Sequence, residues 1–295
     1  MAKATKAKEI CEKGDELLSM LENILLNKNH GNDSLLYHYT SMKSACKILE
    51  SNMLRLSNLV SMNDPLEFCR PKGLGFNGSD ELYKDAFYDL QISLEERENF
   101  VRLLCFCKDE FCNQSEWQNQ KAQTKAANLL HKGWARNRMW AQYADNHSGV
   151  CLVFNKSEFK AEFEKMNCQN ENIKIIADRK VSYTNYLHEL ELGMTDEINT
   201  KVHDGNFRHY YLDDERLEFL FLKCEDYRDE LEYRFALIDS TLKSPADEVF
   251  VDFGKSLKAI ILGQRFSNII RIVLPVDVEQ YRISWNCGVP DLIKQ

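Results

Sequence analysis

The chain has 295 residues, of which 44% are hydrophobic and 11% aromatic, so it is long enough to bury a sizeable core. Its formal net charge is −8 at pH 7, which excludes a protein that coats nucleic acid through bulk positive charge. No apolar run approaches the ~20 residues of a membrane-spanning helix, and the lysines of the N-terminus precede no apolar signal region. We therefore expect a cytoplasmic protein that does not insert into a membrane.

The N-terminal residues predict a separate helical element. Residues 1–28 have the pattern of a charged amphipathic helix, and NHGNDS (29–34) ends it. We interpret residues 1–30 as an extension that docks a partner protein or is a simple appendage, and residues 31–295 as a single domain. The domain opens with a strand at 35–39, and a helix follows at once.

The remaining elements favour an α+β fold. The predicted strands lie at 54–58, 101–107, 149–154, 179–186, 232–238, 248–253, 257–263, 270–275 and 281–285. The predicted helices lie at 80–100, 136–146, 156–166 and over most of 187–225. Because strands occur at both ends and do not alternate regularly with helices, the pattern argues against a doubly wound parallel sheet. Neither a Gly-x-Gly-x-x-Gly motif after a strand nor a P-loop occurs, so a Rossmann-type site is not expected.

Ten cysteines are scattered along the chain, mostly within apolar runs such as VRLLCFC (101–107). This distribution indicates buried, reduced thiols rather than disulfides. Cys105, Cys107 and Cys112 form the tightest group, but no second paired-cysteine half accompanies them, and no metal site is predicted. A local basic segment at 121–138 is either a nucleic-acid contact or a solvated helical face.

The segment LLYHYTS (35–41) places polar groups between the first strand and the helix that follows it. His38 can bond a ribose hydroxyl and Tyr39 can stack on a base, although a packed core with a satisfied histidine is the simpler explanation. The side-chain oxygen of Thr40 or Ser41 can cap the helix that follows.

Three further groups carry possible chemistry. Asn58, Asn63 and Asp64 lie around a polar turn, and the turn preference of Asn-Asp-Pro explains them without a function. Trp140 and Tyr143 share one face of a helix, where they form core or an aromatic wall for a base or nicotinamide.

The third group lies in DELEYRFAL (229–237), where Glu230, Glu232 and Arg234 alternate at the start of a strand. Residues two apart on a strand point the same way, so we expect two carboxylates and one guanidinium on one face. Such charges are costly to bury without a purpose. A strand edge that faces solvent is the simpler alternative.

Taken in order, LYHYTS, ILESNMLRLSN, NDPLE, MWAQYADNHSGVCLVF and YRDELEYRFAL resemble domain-of-unknown-function family 2971, over residues 35–265. That family resembles a divergent branch of the ADP-ribosyltransferase superfamily. The resemblance implies a split, mixed or antiparallel β core with surrounding helices, and NAD as substrate. It further implies transfer of ADP-ribose to a nucleic acid or protein acceptor, in phage defence or as a toxin.

The resemblance also implies roles for individual residues. Glu232 becomes the catalytic carboxylate, and Glu230 orients the acceptor. The residues implied to contact NAD are His38, Tyr39, Thr40, Ser41, Asn58, Asn63, Asp64, Trp140, Tyr143 and Arg234. One departure is Tyr227, which stands where the family usually has tryptophan before its glutamates.

Two other hypotheses remain open from the sequence. The first is a non-catalytic nucleotide-sensing or protein-interaction module on the same scaffold, with the helix at 1–28 as its docking element. The second is a nuclease or other hydrolase in which Asp64, Glu67, Glu230 and Glu232 hold a divalent metal through hard oxygen ligands.

Overall fold

The computed structural model describes residues 34–64, 81–110, 129–185, 212, 217–267 and 278–295. The chain consists of two compact units, and each is built from separate stretches of sequence. The first unit comprises residues 1–51, 107–159 and 254–295, and the second comprises residues 52–106 and 160–253. The predicted N-terminal helix and the predicted strand at 270–275 lie outside the described residues. The prediction of a single domain over 31–295 stays a prediction.

The described helices are α1 (Met42–Ser51), α2 (Glu81–Phe100), α3 (Asn137–Tyr143) and α4 (Lys156–Gln169). The described strands are β1 (Leu35–Thr40), β2 (Met53–Asn58), β3 (Val101–Cys107), β4 (Val150–Asn155), β5 (Ile173–Lys180), β6 (Ser182–Thr184), β7 (Leu222–Cys224), β8 (Glu232–Asp239), β9 (Val249–Asp252), β10 (Leu257–Leu262), β11 (Glu279–Asn286) and β12 (Val289–Lys294). Short 3-10 helices span Leu59–Ser61, Gly133–Ala135, Glu218–Phe221 and Glu225–Glu230. None of the helices within these described ranges combines the length and apolarity needed to cross a membrane.

The first unit is organised around a mixed sheet with the strand order β12-β11-β10-β4-β1. β10 and β11 run parallel, whereas β4 pairs antiparallel with both β1 and β10. His38 on β1 lies opposite Leu152 on β4, and Ile260 on β10 also lies opposite Leu152. β4 is buried along five of its six residues, which explains why its sequence is a continuous apolar run rather than an alternating one.

The second unit has the strand order β9-β2-β3, and β8 pairs with both β3 and β5. β2 is antiparallel to β3 and β9, and β5 is antiparallel to β8. Every residue of β8 is buried, including its charged side chains. β6 and β7 form a separate parallel pair, in which Tyr183 lies opposite Lys223. Apolar side chains from these elements form a core of Leu59, Val101, Leu103, Leu217, Leu220, Phe221, Ala236 and Ile238.

The fold is α+β with mixed, largely antiparallel sheets, as the sequence predicts. The predicted strands at 54–58, 101–107, 232–238 and 257–263 are confirmed within one or two residues. The helical prediction over 187–225 is wrong at 222–224, where β7 forms, and residues 186–211 and 213–216 lie outside the described part of the chain. β12 is a strand that the sequence pattern did not predict, because its polar residues and Pro290 weaken the strand signal.

Candidate functional site

The predicted site residues fall into two sets, one in each unit. His38, Tyr39, Thr40, Ser41, Trp140 and Tyr143 belong to the first unit, and Asn58, Asn63, Asp64, Glu230, Glu232 and Arg234 belong to the second. The second set contains three buried charged residues at or next to the start of β8, namely Glu230, Glu232 and Arg234.

Glu232, the first residue of β8, is held by a two-pronged ion pair with Arg234. The guanidinium donates from Nε to Oε1 at 2.7 Å and from Nη2 to Oε2 at 2.9 Å. Its remaining nitrogen, Nη1, donates to the carbonyl of Leu220 at 2.6 Å. Glu232 is only 5% exposed and Arg234 is fully buried. This bidentate geometry is the strongest form of carboxylate pairing, and it fixes the orientation of the Glu232 side chain.

Lys223, on β7, joins the two predicted glutamates. Its Nζ donates to Oε2 of Glu230 at 2.7 Å and to Oε2 of Glu232 at 2.9 Å. Lys223 is 3% exposed and Glu230 is 2% exposed, and the ammonium also lies 4.7 Å from the centre of the Tyr227 ring. The structure therefore confirms that the two carboxylates lie close together, but a lysine that sequence reasoning missed brings them together.

A signal for Lys223 was present in the sequence. It is the only charged residue in FLFLKC (219–224), and a lysine inside an apolar run is rarely buried without a partner. The pattern around FLFLKC predicts a helix, and a helix there would not pair with β6 as β7 does. Glu230, which accepts a bond from Lys223, lies seven residues later in the chain.

The backbone before β8 differs from the sequence prediction. Glu230 was expected on the same extended strand as Glu232, and that expectation is wrong, because Glu230 is the last residue of the 3-10 helix Glu225–Glu230. Leu231, between the two glutamates, adopts a left-handed conformation with φ 45° and ψ 50°. This conformation is uncommon for a leucine, and it reverses the chain locally so that both glutamates reach one ammonium.

Two hydrogen bonds to backbone fix the elements that carry the cluster. The backbone N–H of Glu232 donates to the hydroxyl oxygen of Tyr183 on β6 at 2.8 Å. The backbone N–H of Cys224 at the end of β7 donates to Oδ2 of Asp64 at 2.7 Å. Asp64 is 1% exposed, so its carboxylate, predicted as a turn or ligand residue, anchors β7 next to Lys223.

The electrostatics keep Glu232 ionised. Burial alone raises the pKa of its carboxyl, but the charge and hydrogen bonds of Arg234, the charge of Lys223 and a hydrogen bond from Cys105 outweigh burial and lower this pKa to about 2. Burial also raises the pKa of the Tyr183 hydroxyl well above 10, which leaves it neutral. The positive charges of Lys223 and Arg234 balance the negative charges of Glu230 and Glu232, and buried charges are stable only when they are paired in this way.

The first-unit residues have well-defined structural positions. Tyr39 is 6% exposed, its hydroxyl donates to the carbonyl of Gly133 at 2.5 Å, and its ring meets Trp140 edge-on at 5.1 Å. His38, on the same strand, is partly buried, and Thr40 is buried. Ser41 caps α1 by accepting from the backbone N–H of Ser44 at 3.1 Å. The capping prediction is therefore confirmed for Ser41.

Trp140 is fully buried, and its indole N–H donates to the carbonyl of Trp134 at 2.8 Å. Tyr143, on the same helix α3, is partly exposed and its hydroxyl accepts from the Gln142 side chain at 3.2 Å. Tyr39 and Trp140 thus form a packed aromatic pair in which each ring's polar group donates to a backbone carbonyl. The NAD-contact roles of these residues stay predictions.

The predicted turn residues act on the backbone of the second unit. Asn58 accepts from the Ser61 N–H at 2.8 Å and donates to the Pro245 carbonyl at 2.6 Å. The carbonyl of Asn63 accepts from the Tyr227 hydroxyl at 3.3 Å. Glu67 lies outside the described residues.

The basic segment at 121–138 contributes charges that are paired within the first unit. Lys132 is buried and donates to Asp109 at 3.0 Å, and Arg136 donates to Glu110 at 2.9 Å. Residues 121–128 lie outside the described part of the chain. Lys132 and Arg136 therefore form part of the internal ion-pair network of the first unit rather than a solvated helical face.

The metal hypothesis requires several hard donors around one point. In the described ranges no group of three or more His, Cys, Asp or Glu side chains is arranged to hold a metal ion. Glu230 and Glu232 instead share the ammonium of Lys223. The cysteines that the structure describes are free thiols.

Residues 139–235 match the family described as "Protein of unknown function (DUF2971)". This segment runs from within α3 to the middle of β8, and it contains Lys223, Glu230, Glu232 and Arg234. The predicted resemblance to that family is confirmed over this segment. No curated protein and no solved structure matches the chain.

Proposed function

We propose that the chain transfers ADP-ribose from NAD to a nucleic acid or protein acceptor, with Glu232 as the catalytic carboxylate. The observation that supports this proposal is the buried pair of Glu230 and Glu232, in which Glu232 is held ionised and in one orientation by Arg234. The ADP-ribosyltransferase resemblance that we expect from the sequence motifs implies the same two glutamates.

The chemistry needs a fixed negative charge more than it needs a proton donor. Cleavage of the bond between nicotinamide and ribose leaves the electron pair on the nicotinamide nitrogen, so the leaving group is neutral. Positive charge builds on the ribose, and a preorganised carboxylate stabilises it where it develops. A carboxyl with a pKa of about 2 carries its full negative charge at neutral pH, as this role requires.

Glu230 has the second role in this proposal. The acceptor forms a bond to the ribose carbon and loses a proton, and the Glu230 carboxylate orients the acceptor and takes that proton. The ammonium of Lys223 already lies against both carboxylates, which indicates that this position favours positive charge. A ribose hydroxyl that bonds Oε2 of Glu232 competes there with the bonds from Lys223 and Arg234.

A second candidate function is a non-catalytic nucleotide-sensing or protein-interaction module. One observation favours it: both carboxylate oxygens of Glu232 accept bonds from Arg234, and Oε2 also accepts from Lys223. A carboxylate whose acceptor positions are occupied in this way stabilises the second unit without any substrate. The two functions differ in whether NAD is consumed.

The test is NAD binding and nicotinamide release by purified wild-type protein and by Glu232→Gln. The transferase proposal expects both proteins to bind NAD and only the wild type to release nicotinamide, with a loss on the order of 10²-fold or more in the variant. Glu248→Gln is the matched control, since Glu248 is an exposed glutamate of the same unit and pairs only at the surface with Arg55. This control should keep wild-type turnover.

Two other results would contradict the activity or the assignment of Glu232. NAD binding without nicotinamide release by any of the three proteins favours the sensor. Equal nicotinamide release by wild type and Glu232→Gln shows that Glu232 is not the catalytic carboxylate.

A further inference from the structure

The carboxylate pair of the second unit is closed to solvent. Glu230 and Glu232 are 2% and 5% exposed, and Lys223, which bonds to both, is 3% exposed. The Lys223 ammonium donates to Oε2 of each glutamate, at 2.7 Å and 2.9 Å. A substrate that bonds to these oxygens has to reach atoms that water barely reaches, so a neighbouring group has to move before it can bind.

The contacts of Glu232 indicate which group can move. A carboxylate presents about four lone-pair sites, shared between its two oxygens. Arg234 donates once to each oxygen, from Nε to Oε1 and from Nη2 to Oε2. The Lys223 ammonium is a second donor to Oε2. Withdrawal of Lys223 would therefore free an acceptor position on Oε2 and keep the ion pair that orients the carboxylate.

Lys223 is carried by a small strand pair, whereas Arg234 and Glu232 belong to a large sheet. β7 and β6 have three residues each, and in the described part of the chain they form a two-stranded sheet of their own. β8, which carries Glu232 and Arg234, pairs with both β3 and β5. A pair of short strands is only marginally stable by itself. Local opening at β7 is therefore less costly than opening at β8.

The turn at Asn63 and Asp64 contacts both sides of Lys223. Oδ2 of Asp64 accepts from the backbone N–H of Cys224, the residue after Lys223, at 2.7 Å. The carbonyl of Asn63 accepts from the Tyr227 hydroxyl at 3.3 Å, and the centre of the Tyr227 ring lies 4.7 Å from the ammonium. This cation–π contact and the Asp64 bond place Lys223 against the carboxylates.

Stability alone does not explain a lysine at this position. Lys223 is the only charged residue of the apolar run FLFLKC (219–224). Buried ion pairs can often be replaced by apolar side chains of similar volume without loss of stability. Groups that are costly to bury are retained where they serve the function of a site, and sites commonly sacrifice stability in this way.

We propose that Lys223 is an autoinhibitory residue, whose ammonium competes with NAD for the carboxylate pair and leaves Oε2 of Glu232 when β7 moves. This inference rests on the proposed function and concerns the regulation of the same site. Binding of NAD must first break the bonds from Lys223 to the two glutamates. The apparent affinity for NAD is therefore reduced by the small fraction of molecules in which Lys223 is released.

The test compares NAD binding by purified full-length wild type, Lys223→Met and Lys223→Arg, measured by calorimetry. Methionine cannot bond to the glutamates, so we expect it to tighten NAD binding on the order of tenfold, the effect of losing a competing charge-assisted bond. Its melting temperature should fall, because a buried carboxylate loses its partner. Arginine keeps the positive charge and should retain the weak binding of the wild type. A lysine with a purely stabilising role predicts a lower melting temperature without tighter binding in Lys223→Met.

The matched control is Lys165→Met. Lys165 is an exposed lysine of the same unit and pairs at the surface with Glu162. Its substitution should leave NAD affinity and melting temperature unchanged.

A second measurement uses only the wild type and so does not depend on the folding of a variant. Acetic anhydride modifies accessible lysines, and mass spectrometry of peptides gives the rate at each position. We expect Lys223 to be protected without NAD and to react faster with saturating NAD, while Lys165 reacts equally in both. Unchanged or weaker NAD binding by folded Lys223→Met, or protection of Lys223 that NAD does not alter, would overturn the inference.

Failure of the proposed function gives a different result. If NAD binds without nicotinamide release, the transferase is contradicted, and the affinity of Lys223→Met still decides whether Lys223 competes with NAD. If none of the proteins binds NAD, the proposed function and the autoinhibitory role are both wrong.

Discussion

At the scale of single residues, Lys223 determines how the two glutamates relate to each other. One ammonium holds Glu230 and Glu232 at 2.7 Å and 2.9 Å, while Arg234 takes both oxygens of Glu232 from another side. All four side chains are buried. A buried cluster of paired charges adds little to folding stability compared with hydrophobic side chains of similar volume. Removing one member is strongly destabilising, because it leaves a buried charge without its partner.

Arg234→Met tests this cost directly. The substitution removes two bonds to Glu232 and one to the Leu220 carbonyl, so we expect the free energy of unfolding to fall by about 3–5 kcal/mol. Urea denaturation followed by circular dichroism measures it. Arg55→Met breaks an exposed ion pair with Glu248 and should change stability by less than about 1 kcal/mol. A similar small effect for both variants would mean that the buried pair is not an energetic unit.

At the scale of elements, substitutions at two glycines separate the effect of close packing on stability from the effect of backbone conformation. A Cβ on Gly263 would lie 2.1 Å from the His147 carbonyl oxygen, whereas Gly288 has φ of 81° and open space around it. Gly263→Ala must push the turn at 145–147 away from β10, and Gly288→Ala only strains its own residue.

We expect Gly263→Ala to lower the free energy of unfolding by about 3 kcal/mol, through overpacking and loss of the Arg265–His147 backbone bond. Gly288→Ala should cost about 1 kcal/mol, the penalty of a left-handed alanine. Thermal unfolding of both variants in parallel with wild type gives the comparison. If Gly288→Ala proves the more damaging of the two, close packing of the turn is not what Gly263 provides.

The elements also show what the sequence could and could not predict. Nearly continuous apolar runs predict β3, β4 and β10, because strands that are buried on both faces carry apolar residues at successive positions. The approach of Glu230 to Glu232 was predicted from alternation, yet the left-handed Leu231 breaks that alternation. The lone lysine in the apolar run FLFLKC (219–224) indicates that Lys223 is buried with a partner. Its position beside both glutamates depends on the parallel pairing of β7 with β6, and that non-local contact leaves no local pattern in the sequence.

At the scale of the whole molecule, the chain has a net charge of −8, and several of its carboxylates are buried in ion pairs with lysine or arginine. Lys132 pairs with Asp109 in the first unit, and Lys223 and Arg234 pair with the glutamates in the second. Ionised carboxylates that are paired in the folded state lose those pairs when they are protonated. The stability of the chain must therefore fall in acid.

Glu232 gives this acid dependence a definite window. Its pKa falls from an ordinary value of 4.5 to about 2 in the folded state, so its contribution is complete above pH 4.5 and disappears as the pH falls toward 2. The shift corresponds to about 3 kcal/mol.

Urea unfolding of wild type and Glu232→Gln at a series of pH values measures this contribution to stability. We expect the wild type's advantage to shrink by about that amount across the window, while the difference between wild type and Glu248→Gln stays nearly flat, because Glu248 is exposed. An advantage over Glu232→Gln that does not change with pH would mean that the paired carboxylate does not control acid stability.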